Sequence, residues 1–257
     1  MGRRGSHVVV ATCVVLAVAV LGACDPAAPL APSTAPPDVT ATRAPQKSTP
    51  PPPIQTSTPT PAPAPPAPPA FRSTIATITP DLASRMSSSW RPGCPVALED
   101  LRYVTVSYHG FAGEVAQGEV VVHADAADDI VTVFHALWDA GYPVRSMRLV
   151  DDFGASDDAS MDADNTSAFN CRAVTGGTGW SEHAYGRAID INPRENPYVV
   201  GRHVAPSAGA AFSGRPDLPG VIHDDDLVVR AFASVGWGWG GDWSSPTDYQ
   251  HFSATGR

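Results

Sequence analysis

The sequence predicts an α+β domain, and three patterns predict it. Leu101 to Tyr108 alternates valines and aromatics with polar residues, and Glu119 to His123 carries a second valine-rich run; both read as strands. Asp125 is the expected cap of a helix through Ala140, in which Ile130, Val133, Phe134 and Leu137 recur at helical spacing, with Gly141 and Pro143 behind them as stop signals. Leu227, Val228, Ala231 and Phe232 give a second helix from Asp226 to Val235, capped by one of Asp224 to Asp226 and ended by Gly236. A sheet with one apolar face and helices with one apolar stripe bury those surfaces against each other.

In chain order, residues 1–23 read as a signal peptide rather than as fold. Arg3 and Arg4 make a basic start, Val8 to Leu21 is an apolar run short for a bilayer span, and Leu21-Gly22-Ala23-Cys24 closes it. Small residues before a cysteine resemble a bacterial lipobox. That implies cleavage before Cys24, lipidation of its thiol, and a lipoprotein attached to the outside of the cell membrane by that anchor. An ordinary secretory signal with an incidental cysteine is the simpler alternative. Residues 24–70 are mostly Pro, Thr, Ala and Ser. Such a segment buries too little apolar surface to offset its ordering entropy, so a disordered linker is expected ahead of one domain at residues 71–257.

The net charge of −9 becomes −11 if residues 1–23 are removed, because Arg3 and Arg4 go and no acid does. Lys47 is the only lysine and there is no basic stripe, which argues against nucleic acid or anionic lipid as a surface-bound partner. A monomer is expected. With Cys13 in the signal and Cys24 as the lipid site, Cys94 and Cys171 remain as a pair in an oxidising compartment. A disulfide between them is predicted, tying the start of the domain to the segment before the chemistry-bearing motif.

Val144 to Val150 reads as a further strand, and Asp151 to Gly177 as a long polar loop too irregular for core, hence functional. Ser181-Glu-His-Ala-Tyr-Gly-Arg-Ala-Ile-Asp190 follows. His183 offers an imidazole nitrogen and Asp190 a carboxylate oxygen, donors suited to a catalytic zinc that keeps one position for water. Gly186 would turn the chain between them, and Arg187 to Ile191 alternates as a short strand does. The Gly-, Pro-, Ser- and Ala-rich stretch to Val221 reads as a flap. Trp237, Trp239 and Trp243 then offer either a groove wall or core, ahead of Asp248-Tyr249-Gln250-His251-Phe252. His251 is the candidate third ligand and Asp248 the candidate general base. Those two positions fall on opposite faces of an ideal strand, so the assignment requires a bend between them. Glu182 and Asp242 are rival bases, and His223, beside an acidic run, is a weaker candidate metal contact.

The spacing Ser-x-His-x-x-Gly-x-Ala-x-Asp, followed by an acid-x-x-His, resembles the zinc D-Ala-D-Ala carboxypeptidases and L-Ala-D-Glu endopeptidases of bacteria and phage. That group includes the vancomycin-resistance carboxypeptidases and shares its metal-site fold with the hedgehog signalling domain. The resemblance covers roughly Cys94 to Phe252. It implies a small, mostly antiparallel sheet with flanking helices carrying a zinc site. It also implies a metallopeptidase acting on peptidoglycan stem peptides of the cell wall, carboxypeptidase type preferred. Asn165 to Arg172 resembles the stretch preceding the family's zinc motif, which makes Arg172 the candidate grip on a substrate carboxylate, with Arg145 and Arg148 competing. Ser181 would bond substrate backbone or order the strand. Two other readings remain. A Ser-His-Asp hydrolase built from Ser181, His183 and Asp190 would lack a Gly-x-Ser-x-Gly elbow; a non-catalytic module binding wall peptide would have no need of Asp248.

Overall fold

Three small antiparallel sheets and four α-helices make up residues 69–257, the part that the computed structural model describes. The expected signal peptide, the lipidation site Cys24 and nearly all of the linker lie outside the described residues. The first sheet runs β1 (Ser73–Thr77), β2 (Leu101–His109), β3 (Val115–His123). The two valine-rich runs are β2 and β3; β3 begins earlier than its apolar pattern because Val115 to Gln117 pairs with the far end of β2 while facing largely outward. Helix α1 (Pro80–Arg85) starts after Thr79, whose hydroxyl caps Leu82 N.

Helix α2 (Ala127–Asp139) lays Ile130, Val133, Phe134 and Leu137, all buried, against β2 and β3. Asp125 does not cap it. A 3-10 turn, Ala124–Ala126, comes first, and the His123 ring accepts from Asp125 N at its start.

The segment Val144 to Val150 is not the strand its sequence suggests. It makes isolated bridges, Pro143 to His109 and Met147 to Thr166. Its intervening N–H groups are taken by side chains: Asn192 Oδ1 accepts from Arg145 N at 3.0 Å and Asn165 Oδ1 from Arg148 N at 2.9 Å. Asparagine amides thus replace the ladder.

The polar stretch from Asp151 to Gly177 is likewise more than an irregular loop. It holds a 3-10 turn at Val150–Phe153, helix α3 (Asp157–Asp162) and a buried run from Asp164 to Cys171. Its polar residues are internal because they saturate backbone groups, as when Asn165 Nδ2 donates to Arg148 O at 3.0 Å.

Strand β4 (Ala188–Asp190) leaves the turn at Gly186. The expected flap behind it is an anchored excursion containing β5 (Tyr198–Val200), β6 (His203–Ala205) and a 3-10 turn at Ser207–Phe212. Asn196, fully buried, pins it: Nδ2 donates to Ile191 O and Gly220 O, while Oδ1 accepts from Ile222 N and Arg215 Nη2. Helix α4 (Leu227–Ser234) begins at Asp226, whose Oδ1 accepts from Val228 N and Val229 N.

Strands β7 (Gly238–Trp239), β8 (Thr247–Asp248) and β9 (His251–Ser253) complete the sheets, in the orders β4-β9-β7 and β6-β5-β8. One core joins the stripes of α2 and α4 to Ile189, Phe252, Trp237 and Trp239. Phe232 stacks on Phe252 at 4.0 Å. Trp237 and Trp239 therefore belong to the core rather than a groove, whereas Trp243 tilts over His251 at 5.4 Å. Cys94 and Cys171 form the predicted disulfide, their Cα atoms 5.9 Å apart.

Candidate metal centre

Two of the donors come from one ladder. Antiparallel pairing of β4 with β9 sets Asp190 directly opposite His251, and an isolated bridge to Ser167 holds the other edge of Asp190. His183 arrives on the 3-10 turn Glu182–Tyr185, started by Ser181, whose Oγ accepts from His183 N. Gly186 reverses the chain into β4 at φ +67°, and its carbonyl accepts from His123 N at 2.8 Å, clipping the turn to the end of β3. A Cβ there would lie 2.6 Å from that same nitrogen, so both the backbone angle and the space require glycine.

The three side chains are buried and converge. His183 Nε2 lies 3.2 Å from His251 Nδ1 and 3.2 Å from Asp190 Oδ2, and His251 Nδ1 lies 3.1 Å from Asp190 Oδ1. Each ring's other nitrogen has a fixed partner: His183 Nδ1 sits 2.6 Å from Ala168 O and His251 Nε2 sits 3.2 Å from Arg257 O. A main-chain oxygen only accepts, so those nitrogens carry the protons and the converging ones present lone pairs. Two lone pairs and a carboxylate this close repel unless a cation lies among them. Zinc bonds of about 2.0–2.1 Å in tetrahedral array put donors about 3.3 Å apart, close to the separation of the two imidazole nitrogens and of each from its nearer Asp190 oxygen, with one donor atom per residue all within 4.8 Å of one another. The chemistry and spacing of the donor set both fit zinc. Burial would raise the Asp190 carboxyl, yet the facing imidazoles hold it far below the carboxylate range; against burial, the same contact raises His251.

Asp248 meets the geometric condition set on it. Strand β8 ends at Asp248, Tyr249 and Gln250 turn, and β9 opens at His251, so the required bend is present. Its Oδ1 is buried without a hydrogen-bond partner. Burial, then the charge of Asp190, pushes its carboxyl up to about 7, with His251 opposing. A buried carboxylate oxygen free of other hydrogen bonds can accept a proton from a neighbouring water and return it. Of the rivals, Asp242 is exposed and Glu182 is half-buried. Neither they nor His223 join the metal-competent group found among the described residues.

The arginines separate clearly. Arg172 pairs with Asp157 at 2.8 Å, and its Nε is buried without a partner. Asp157 was not singled out in the sequence because it reads as one more acid in a polar loop. Burial raises its carboxyl, Arg172 opposes, and Asp190 adds to the rise, so the pair stands in the field of the metal carboxylate. Arg145 instead lies over Phe111 and 3.5 Å from Asp164; Arg148 lies over Phe153 and 3.1 Å from Asp152. Ser181 spends its hydroxyl on His183 N, which orders the turn. Because both ring nitrogens of His183 are committed elsewhere, the serine-nucleophile reading lacks its hydrogen bond between nucleophile and base.

Residues 175–254 match the family described as D-alanyl-D-alanine carboxypeptidase. The matched stretch holds His183, Asp190, Asp248 and His251, and leaves Arg172 and both bridged cysteines outside it. No match was found among curated proteins or among solved structures.

Proposed function

We propose that the chain, whose residues 175–254 match the family described as D-alanyl-D-alanine carboxypeptidase, is a zinc-dependent peptidase that trims peptidoglycan stem peptides. In this reading it acts outside the cytoplasmic membrane, held there by a lipid at Cys24, and its preferred reaction removes a terminal D-alanine. The observation that carries the chemistry is the buried triangle of two oriented imidazoles and one carboxylate, with the unpartnered Asp248 carboxyl beside it.

His183, Asp190 and His251 would hold the zinc, which when bound would serve as a Lewis acid for the scissile carbonyl and lower the pKa of a water towards about 7. Asp248 takes a proton from the attacking water and returns it to the leaving amine. The main-chain oxygens of Ala168 and Arg257 keep both imidazoles in the ligating tautomer. Arg172 presents its guanidinium to the substrate's terminal carboxylate, with Asp157 orienting it from the other side. A grip on a terminal carboxylate is what favours the carboxypeptidase over an internal cut.

The test incubates the zinc-loaded chain with defined muropeptides and weighs the products. Loss of one D-alanine, abolished by chelation, is expected, and Asp248→Asn should keep zinc while losing turnover by about 10²- to 10⁴-fold. Products cut between L-Ala and D-Glu would replace this reading with the endopeptidase. Binding without any cleavage would replace it with a wall-peptide-binding module.

A further inference from the structure

We infer that Gly240 is a positioning residue: the lack of a side chain there lets the base and the third ligand stand side by side. The inference rests on the peptidase reading above and on Asp248 as its base. Gly240 is buried at the start of a 3-10 turn, Gly240–Asp242, that follows β7. A Cβ on Gly240 would lie 2.6 Å from Asp248 O, 3.0 Å from Asp248 Cβ and 3.3 Å from His251 Cβ. The roots of both functional side chains therefore rest on one point of bare backbone. No left-handed angle is involved at this position, so space alone demands the glycine.

Where an added methyl group's pressure would go follows from how each neighbour is fastened. The turn cannot retreat: Trp239 is buried in the core and its Nε1 donates to Tyr249 O at 2.8 Å. His251 is held by its ladder with Asp190 and by Arg257 O, and its Cβ contact needs only a few tenths of an ångström of yielding. Asp248 has the shorter contacts, sits at the end of a two-residue strand and has a carboxylate oxygen with no partner. Asp248 is the group that moves.

Gly240→Ala in the full chain should therefore fold, take zinc at the native stoichiometry and keep KM. Its kcat should fall on the order of 10²-fold, the scale of an ångström's misplacement. A double-mutant cycle separates positioning from general damage: in an Asp248→Asn background, Gly240→Ala should cost nothing further. Gly214→Ala, where a Cβ would meet no atom within 4 Å, serves as the control and should leave kcat at the native value. A kcat within twofold of native, losses that multiply in the double variant, or a Gly240→Ala chain that fails to fold or bind zinc would each overturn the inference while leaving the peptidase reading standing. Absence of cleavage by the native chain with zinc would remove the reading itself and this inference with it.

Discussion

His183 and His251 point different ring atoms at the same spot, Nε2 from one and Nδ1 from the other, and in each case a main-chain oxygen behind the ring decides which. Residue-level chemistry of the same kind governs a second buried acid. Asp164 is buried near Glu195, and each has a carboxylate oxygen that accepts no hydrogen bond, although Arg145 Nε and Arg194 Nη2 lie 3.5 and 3.7 Å from that of Asp164. Burial, then Glu195, pushes the Asp164 carboxyl up to about 7. The folded state thus holds a proton that the unfolded chain gives up near its ordinary value of 3.8. Stability should fall as pH rises from about 4 to about 7 and level off above, with a slope of at most about 1.4 kcal/mol per pH unit from this group. Denaturant melts at pH 5 and pH 8 should show the loss, and Asp164→Asn, which keeps an oxygen for Arg194 N, should flatten it. An unchanged slope in that variant would take the effect away from Asp164. The metal donors were legible at this scale because ligand chemistry restricts residue type and spacing. Asp157 and Gly240 were not, since an acid among acids and a glycine among glycines acquire meaning only from neighbours distant in sequence.

At the scale of elements, the turn that carries His183 and the strand that carries Asp190 depend on Gly186. Gly186→Ala would force a left-handed angle on a residue with a Cβ and drive that Cβ onto His123 N. The strain should cost roughly 1–3 kcal/mol, seen as a lower urea midpoint, with weakened zinc binding because His183 moves with the turn. A variant with native midpoint and native zinc affinity would show that the turn bears no such load. Strand β4 could be read from its alternation, and α2 and α4 from their apolar stripes. Val144 to Val150 misled for a physical reason: its side chains have strand character, but asparagine amides claim the N–H groups a neighbouring strand would need. The run Asp164 to Cys171 misled in the opposite sense, its polarity serving hydrogen bonds inside the molecule rather than contact with water.

At the scale of the whole described domain, the Cys94–Cys171 bridge closes a separation of 77 residues and joins the early helix region to the strip leading into the metal turn. Loop-closure entropy for that length is worth about 4 kcal/mol. Cys94→Ser with Cys171→Ser should lower the urea midpoint accordingly. Because Cys171 adjoins Arg172, the pair of changes should also raise KM more than it lowers kcat. Equal stability with and without the bridge would remove its structural role.

Asp190 and His251 stand 61 positions apart, yet they meet as opposite rungs of one short ladder. A ladder counts from its own ends, so the number of residues between the rungs does not by itself set the spacing of the donors. What does enter is parity: sliding β9 by one place would bring Gln250 or Phe252 opposite Asp190 and disarm the centre at a stroke. The two short strands that carry the rungs therefore tolerate no insertion, however far the chain travels between them.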